Sequence, residues 1–600
     1  MTKHCSFIIY LIASFILAAS VDAHIDGKES VHDILASIKQ RLLEQKTHEE
    51  MVNLKLHALL DFITPDERQA LGRNMMQFNV NAPITLYVIT DAVLQDDPFW
   101  LKERGFIKTE LTVDVDNDPF AVWIKDFEPG LIELGITAFQ EPEGSYFLAI
   151  KTHAPGVELK IDNIYPGQCR VGEFQIGAVP YVDDDGDEID GAPEELIGLP
   201  IVRTMNKWAQ LCQLIDAFRM TRFPAVNKPD QIILTWSDNP QTTQTIQWRT
   251  STAIKEGVVM YAKKADFNRF YPKAPTLVKA KTNALETPDI INDPIIHRHT
   301  AVLTGLEPDT AYVYSVGDGS DEGWSELAEF STAPVEIRPF TFIYMGDAQN
   351  GLDRWGSLLK NAYRERPDAA FYIMAGDLIN RGNERWDWDD FFFNSKGVYE
   401  RRQLVPAIGN HEAQGHPTLY LEMFDLLKNG PDQVEPERAY WFEYSNALFV
   451  ILDTNFDIAA QTDWLDATLA ASDATWKFVV YHHPAYSSAP NRDNADVRSE
   501  WTPLFDKYAV DMALQGHDHA YLRTYPMKNG VRVSEDEGVV YIVSVSGVKM
   551  YEQADRDYTA FGMTNVSTYQ VLDIHIIGDR LLYRAYDIDG NLKDEIELKK

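Results

Sequence analysis

The stretch Leu404-Val-Pro-Ala-Ile-Gly-Asn410-His411-Glu412 joins a short apolar run to a glycine and then to polar side chains. Similar apolar runs recur through the C-terminal part of the chain. Because these runs are apolar throughout rather than alternating, they are typical of strands covered on both faces in an α/β domain. The predicted strands span residues 340–345, 369–374, 404–408, 447–452, 477–481, 511–514 and 539–545.

Polar groups follow five of these predicted strands. Loops beyond the carboxyl ends of strands in an α/β sheet converge on one crevice. The glycines allow tight exits, so the next side chain can point back at that crevice. We therefore expect one site to collect the following groups: Gly346-Asp347, Gly376-Asp377, Gly409-Asn410-His411-Glu412, His482-His483-Pro484 and Gly516-His517-Asp518-His519.

The side chains in these groups suit metal ions. Carboxylates, imidazoles and an amide oxygen are ligands for divalent or trivalent first-row metals. No cysteine occurs in the five groups, which argues against a structural zinc site. One aspartate shared by two ions would hold them ~3.5–4 Å apart, as two-metal hydrolases need. Each motif alone is a weak signal, but the five in order predict a metal centre.

Residues 226–335 show a different pattern of short alternating strands between turn-rich segments, which predicts a β-sandwich. The run Leu306-Glu-Pro-Asp-Thr-Ala-Tyr-Val-Tyr314 resembles the strand-entry motif of fibronectin type III domains. A tyrosine in that motif ties down a corner of the sandwich. We interpret this domain as scaffold.

The ordered groups closely resemble the calcineurin-like metallophosphoesterases and, with the sandwich before them, the purple acid phosphatases. The resemblance covers about Asp230 to Lys600 and assigns residues 336–600 to the phosphoesterase domain. It implies an α/β sandwich of two mixed sheets flanked by helices. It also implies hydrolysis of phosphate esters, phosphomonoesters first, by attack of metal-bound hydroxide. The implied cofactors are two divalent or mixed-valence ions of Fe, Mn or Zn.

The resemblance implies a role for individual residues as well. His411 would face the substrate, where it stabilises the transition state or protonates the leaving oxygen. The metal ligands it implies are Asp347 and His519 on the first ion, Asp377 between the ions, and Asn410, His482 and His517 on the second.

Two positions depart from the family pattern. Asn380 stands where the purple enzymes have a tyrosine, so we expect no purple colour and doubt a dependence on ferric iron. Gln349 stands where many relatives have histidine, and its amide oxygen could complete the shell of the first metal. Residues near the motifs that could contact substrate or orient ligands are Asn380, Arg381, Glu412, His416, His483 and Tyr486.

Charge and composition limit the partners of the chain. The 600 residues carry a formal net charge of −36, which argues against nucleic acid or an anionic membrane as the main partner. An anionic substrate would need cations placed near the site. The sequence indicates no oligomeric state.

The N-terminal third carries weaker signals. Residues 1–23 read as a cleaved secretory signal, which predicts a secreted or periplasmic protein, and no later segment is long enough for a membrane span. Cys169 and Cys212 could then form a disulfide. We predict a helical region over 24–111 and a β-rich region of unknown role over 112–225. Asp183 to Asp190 (DDDGDEID) is interpreted as a solvated acidic loop, with calcium binding as the alternative.

Two other functions stay open from the sequence. The same metal core serves phosphodiesterases and nucleotide hydrolases, whose substrate choice depends on loops. A third hypothesis is an extracellular binding protein with a catalytically silent phosphoesterase domain, since β-sandwiches often serve as interaction modules.

Overall fold

The computed structural model describes residues 29–600 except 48–49, 52, 93–96, 140–144, 155, 183–186, 206–212, 268–273, 535–536 and 578. The chain divides into two compact units, Met1–Arg219 and Met220–Lys600. Within the described part, no helix has the length and apolar character needed to cross a membrane. The predicted signal peptide, the start of the acidic segment and Cys212 lie outside the described residues, so those predictions stay open.

The first unit contains helices followed by antiparallel sheets. Its helices are α1 (Val31–Gln45), α2 (Pro65–Leu71) and α3 (Phe99–Glu103), with 3₁₀ turns at Leu56–Phe62 and Ile215–Ala217. Its strands are β1 (Met76–Val80), β2 (Ile84–Asp91), β3 (Ile107–Val115), β4 (Asp118–Phe127), β5 (Gly130–Leu134), β6 (Phe147–Thr152), β7 (Ile161–Tyr165), β8 (Arg170–Glu173), β9 (Ile189–Gly191) and β10 (Pro200–Arg203).

Two sheets form in this unit, ordered β5-β1-β7 and β8-β10-β6-β2-β4-β3-β9. The prediction of a helical region over 24–111 is wrong beyond α2, because β1, β2 and most of β3 fall inside it. The β2 sequence Ile-Thr-Leu-Tyr-Val-Ile-Thr-Asp is rich in β-branched and aromatic residues, which favour a strand.

The second unit begins with the β-sandwich. Its strands are β11 (Asp230–Thr235), β12 (Gln244–Ser251), β13 (Val258–Lys263), β14 (Thr276–Lys279), β15 (Lys281–Glu286), β16 (Ile295–Leu303), β17 (Ala311–Gly317) and β18 (Ala328–Ser331), with a 3₁₀ turn at Lys264–Asp266. They form antiparallel sheets ordered β11-β12-β16-β15 and β14-β13-β17-β18. The hydroxyl oxygen of Tyr312 accepts a hydrogen bond from the backbone of Glu307 at 2.9 Å, which ties down the corner as predicted.

The α/β domain follows. Its strands are β19 (Phe340–Met345), β20 (Phe371–Ala375), β21 (Gln403–Ala407), β22 (Tyr440–Tyr444), β23 (Ala447–Ile451), β24 (Trp476–Val480), β25 (Met512–Gln515), β26 (Tyr521–Thr524), β27 (Met527–Lys528), β28 (Val531–Arg532), β29 (Val540–Val543), β30 (Thr559–Met563), β31 (Tyr569–His575), β32 (Arg580–Tyr586) and β33 (Leu592–Lys599). Its helices are α4 (Leu352–Glu365), α5 (Arg385–Ser395), α6 (Thr418–Met423), α7 (Thr462–Ala471) and α8 (Ala495–Lys507), with a 3₁₀ turn at Ala459–Gln461.

Two mixed sheets make the frame of this domain. Their orders are β21-β20-β19-β31-β32-β33 and β22-β23-β24-β25-β29-β26-β30. The strands β19, β20 and β21 are parallel to one another, as are β23, β24, β25 and β29. The predicted fold is confirmed: a β-sandwich is followed along the chain by an α/β domain of two mixed sheets flanked by helices.

Aromatic rings packed edge to face fill the space between the two sheets. Phe342 and Phe371 lie on one sheet, Phe449 and Phe478 on the other, and all four are fully buried. Ring centroids of Phe342 lie 5.1 Å from Phe449 and 5.2 Å from Phe478. This packing holds the sheets face to face, so the loops after their parallel strands meet.

Candidate metal centre

Side chains from four of these loops form two groups of ligand atoms. In the first ligand group, Asp347, Asp377 and His519 each place one ligand atom within 4.8 Å of the others. In the second ligand group, Asp377, His482 and His517 do the same. Asp377 belongs to both groups, so its carboxylate lies between two positions that suit a cation.

The second ligand group is compact and also contains Asn410. The His482 Nε2 atom lies 3.1 Å from Asp377 Oδ2 and 3.0 Å from Asn410 Oδ1. The His517 Nδ1 atom lies 2.9 Å from the same Asn410 oxygen and 3.2 Å from His482 Nε2. Four side chains from four loops therefore point their polar atoms at one spot.

Hydrogen bonds fix which nitrogen of His482 faces the group. Its Nδ1 donates to the carbonyl of Ala375 at 2.8 Å, so in the neutral ring Nε2 presents a lone pair. The Asp377 and Asn410 oxygens also present lone pairs to this spot. Acceptor atoms at about 3 Å repel one another unless a cation lies between them, so this donor set fits a metal ion.

The polar atoms of the first ligand group also fit a cation. His519 donates from Nδ1 to the carbonyl of Lys549 at 3.0 Å, which turns Nε2 toward Asp347 Oδ1, 3.9 Å away. The amide nitrogen of Gln349 lies 3.0 Å from His519 Nε2 and 3.1 Å from Asp377 Oδ2. Its oxygen Oε1 is buried and meets no hydrogen-bond partner among the described residues. Turning the amide over would aim that oxygen at the group, where a cation would satisfy it.

Comparison with known proteins agrees with this geometry. Residues 229–332 match the model of the purple acid phosphatase N-terminal domain, and residues 340–521 match that of the calcineurin-like phosphoesterases. The chain carries a purple acid phosphatase N-terminal domain followed by a calcineurin-like phosphoesterase domain. The predicted resemblance is confirmed.

Individual relatives are distant. An uncharacterized protein of Mycobacterium tuberculosis is 28% identical over 346 residues, covering 50% of this chain and 62% of that protein's length. The Fe(3+)-Zn(2+) purple acid phosphatase 12 of Arabidopsis thaliana is 24% identical over 358 residues, covering 54% and 73%. The purple acid phosphatase PPD1 of yellow lupin seeds has a similar fold, with a TM-score of 0.54 at 15% identity, over 87% of this chain and 90% of that one.

Burial and charge set the protonation of the phosphoesterase site. Burial opposes a charge on His482, but the neighbouring carboxylate of Asp377 prevails and raises the pKa of His482 to about 10. Burial lowers the pKa of His519 to about 4, and burial with the positive His482 lowers the pKa of His517. Burial raises the pKa of Asp347 well above its usual value. Positive charge on His482 therefore balances the buried carboxylate of Asp377.

Strained backbone brings the ligands inward. Asp377, His517 and His519 have φ values of 52°, 75° and 46°, in the left-handed region that costs a non-glycine residue about 1–3 kcal/mol. Gly376 has a φ of 88°, and a Cβ there would lie 2.6 Å from His482 Nδ1. The site therefore requires glycine at that exit from β20.

Glu412 holds the loop that carries Asp377. Its fully buried carboxylate accepts backbone N–H groups from Asp377 at 2.9 Å, Leu378 at 2.8 Å, Ile379 at 3.3 Å and Gly409 at 2.8 Å. Burial raises the pKa of Glu412 to about 7. Glu412 therefore fixes the loop after β20 to the loop after β21.

Asp518, to which the sequence analysis gave no role, lies between the two ligand histidines of its motif. Its buried carboxylate accepts from the Ser487 hydroxyl at 2.6 Å and from the backbone of Ser488 at 2.5 Å. Arg492 reaches the same carboxylate at 3.3 Å and donates to the carbonyl of His517 at 2.7 Å. A charged residue between two candidate ligand histidines is the sequence signal for this anchoring role.

The structure places His411 and His483 beside the ligand groups. His411 directs Nε2 toward Asp377 Oδ2, 3.9 Å away, with its side chain 20% exposed. Its Nδ1 lies 2.5 Å from the carbonyl of Asn380. His483 bonds through Nδ1 to the Thr454 hydroxyl at 2.7 Å, and its ring lies 4.2 Å from that of His517.

The other predicted residues lie elsewhere. Tyr486 is buried, and its ring packs against those of Tyr541 and Tyr558 in the core. His416 is exposed and pairs with Glu435 at 3.2 Å. Arg381 is exposed, with its guanidinium 5.8 Å from the ring centre of Trp386.

Metal binding should release protons from this centre. The raised pKa of His482 means that its ring is protonated at pH 8, and that proton must leave before Nε2 binds a metal. We expect Mn²⁺ or Zn²⁺ binding to release protons and the apparent affinity to fall as the pH is lowered. Calorimetric titration in buffers of different ionisation enthalpy measures the release. A His416→Ala variant should release as many protons as wild type, whereas heats independent of buffer would contradict the assignment.

Replacing Glu412 should damage the centre without removing a ligand. In Glu412→Gln an amide N–H₂ faces backbone N–H donors, leaving buried groups unpaired at about 1–3 kcal/mol of unfolding free energy. We expect that loss in denaturant unfolding, together with lower metal content. Glu435→Gln, at a partly exposed carboxylate, is the matched control. Wild-type stability and metal content in Glu412→Gln would show that the carboxylate does not hold Asp377 in place.

Proposed function

We propose that this protein is a binuclear-metal phosphoesterase that hydrolyses phosphate esters, with phosphomonoesters as its main substrates. The observation that carries the proposal is the membership of Asp377 in both ligand groups. A shared carboxylate is what a pair of ions ~3.5–4 Å apart requires. The match to the calcineurin-like phosphoesterases supports the reaction class.

The protein's own side chains would divide the two ions between them. The residues that would hold them are Asp347, Gln349 and His519 for the first, Asn410, His482 and His517 for the second, and Asp377 for both. When bound, such ions supply a water of lowered pKa as nucleophile and neutralise charge on the phosphoryl oxygens. The buried frame of Glu412 and Asp518 keeps the ligands in place for both tasks.

His411 is proposed to act on the leaving group. A carbonyl oxygen only accepts hydrogen bonds, so the contact with Asn380 places a proton on Nδ1 and leaves Nε2 to exchange a proton with the substrate. Nε2 is also the ring nitrogen that faces Asp377, 3.9 Å from Oδ2. Proton donation to a leaving oxygen contributes about 10²–10⁴-fold to such reactions.

Cations near the first ligand group would attract the anionic substrate. The guanidinium of Arg492 and the amine of Lys549 lie 5.1 and 5.3 Å from the ring centre of Tyr551, and that ring lies 4.8 Å from His519. In a chain with a net charge of −36, a local pair of cations is needed to counter repulsion of phosphate.

Asn380 shapes the proposed metal preference. An asparagine offers no phenolate to a ferric ion, so we propose a colourless centre that works with Mn²⁺, Zn²⁺ or Fe²⁺. We also propose that the reaction takes place outside the cytoplasm, on the strength of the N-terminal segment 1–23 alone.

Metal analysis combined with two ester substrates tests the proposal. We expect about two metal ions per chain, no visible absorption band, and hydrolysis of p-nitrophenyl phosphate that a chelator abolishes and metal restores. Asp377→Asn should lose both metal and activity, while His416→Ala keeps both. Faster hydrolysis of bis(p-nitrophenyl) phosphate would make the protein a diesterase. No metal and no turnover after reconstitution would favour a binding protein.

A further inference from the structure

The loop Asn380–Gly382, which follows β20 and which we call the clamp loop, holds His411 at two points. The carbonyl of Asn380 accepts from the ring at Nδ1, and the N–H of Gly382 donates to the His411 carbonyl at 2.9 Å. A Cβ on Gly382 would lie 2.5 Å from that carbonyl, so only glycine permits this approach. The clamp loop fixes both the backbone and the ring of His411.

Helix α5 in turn holds the clamp loop. The indole N–H of Trp388 donates to the carbonyl of Gly382 at 2.9 Å. Trp388 is fully buried, and its ring packs at right angles to Phe391 and Phe424, with centroids 6.2 and 5.7 Å away. The indole is therefore a rigid support for the clamp loop.

The β-sandwich fixes α5 by buried ion pairs. Asp389 accepts from Arg249 at 2.8 Å and from Gln231 at 2.7 Å, and both of these partners lie on sandwich strands. Arg385 pairs with Asp293 at 3.1 Å. The side chains in both ion pairs are at most 1% exposed. Buried pairs of this kind are strongly dependent on geometry, so they define the position of α5.

We propose that α5 is a positioning element for His411 and that the β-sandwich takes part in catalysis by fixing α5 through Arg249 and Asp293. The inference rests on the proposed function, in which His411 protonates the leaving oxygen. The sandwich then does more than support the fold. Its strands β11 and β12 hold Asp389 on α5, Trp388 of the same helix holds the clamp loop, and the clamp loop holds the imidazole of His411.

Substrates with different leaving groups distinguish a misplaced His411 from a general loss of stability. A good leaving group such as 2,4-dinitrophenolate departs without a proton, whereas phenolate needs one. An imidazole moved out of place should therefore slow phenyl phosphate hydrolysis and spare the dinitrophenyl ester. A loosened metal centre or a partly unfolded domain would slow both substrates alike.

The decisive variant is Trp388→Phe, which removes the indole N–H and keeps an aromatic ring. We expect kcat on phenyl phosphate to fall about tenfold or more, and kcat on 2,4-dinitrophenyl phosphate to change less than about threefold, with unchanged metal content. His411→Asn removes the imidazole and gives the largest selective loss, against which the loss in Trp388→Phe is compared. Trp464→Phe is the matched control, because its indole N–H donates to the carbonyl of Asn429 at 2.9 Å instead of to the clamp loop, and it should behave as wild type.

A second variant tests the sandwich itself. Gln231→Leu removes the hydrogen bond to Asp389 and a 3.4 Å contact with Arg298 but leaves the ion pairs intact, so it should show the same selective loss to a smaller degree. Equal loss on both substrates in Trp388→Phe, or wild-type rates there beside a selective loss in His411→Asn, would overturn the inference while the phosphoesterase stands. If the metal-loaded wild type hydrolyses neither ester, the proposed function itself fails.

Discussion

The carboxylate of Asp377 is the constraint on which the rest of the site depends. It is almost completely buried, and ligand nitrogens of His482, His517 and His519 lie within 4.8 Å of it. Such a collection of acceptors is unfavourable without positive charge, since a buried carboxylate costs several kcal/mol unless it is paired. Metal ions held by the two ligand groups would balance this carboxylate and the imidazole nitrogens around it. The proposed function and the stability of the fold therefore both favour positive charge beside Asp377.

Two further buried carboxylates keep these groups together, because they accept hydrogen bonds from the backbone of the surrounding loops. Glu412 binds four N–H groups under the β20 and β21 loops, and Asp518 binds the loop after β24. The helix α5 and the sandwich extend this support to His411. The ligands themselves thus need no flexible long side chains, because the backbone that carries each of them is fixed by its neighbours.

Much of this arrangement was predictable from sequence. Runs that are apolar throughout identified β19 and its parallel neighbours, and the polar residues just after them identified the ligands that converge. Strands with exposed faces give no such signal: most side chains of β14 and β15 are exposed or half-buried. Apolar residues after α2 were extended as helix although β-branched residues in β2 favoured a strand.

The roles of single polar residues depended on contacts far apart in the chain, which sequence does not display. Glu412 was included among several candidates, yet its four backbone partners became visible only in the fold. Tyr486 follows a ligand strand as His483 does, but one ring turns into the core and the other toward the site. Asp389 and Arg249 lie 140 positions apart, so their pairing could not be read from either segment.

The most direct test of the account is anomalous diffraction from crystals of the protein loaded with Mn²⁺. The account predicts two peaks ~3.5–4 Å apart on opposite sides of the Asp377 carboxylate, one reached by His519 and Asp347 and the other by His482 and His517. A single peak, or two peaks of which only one contacts Asp377, would contradict the shared carboxylate and with it the two-metal site.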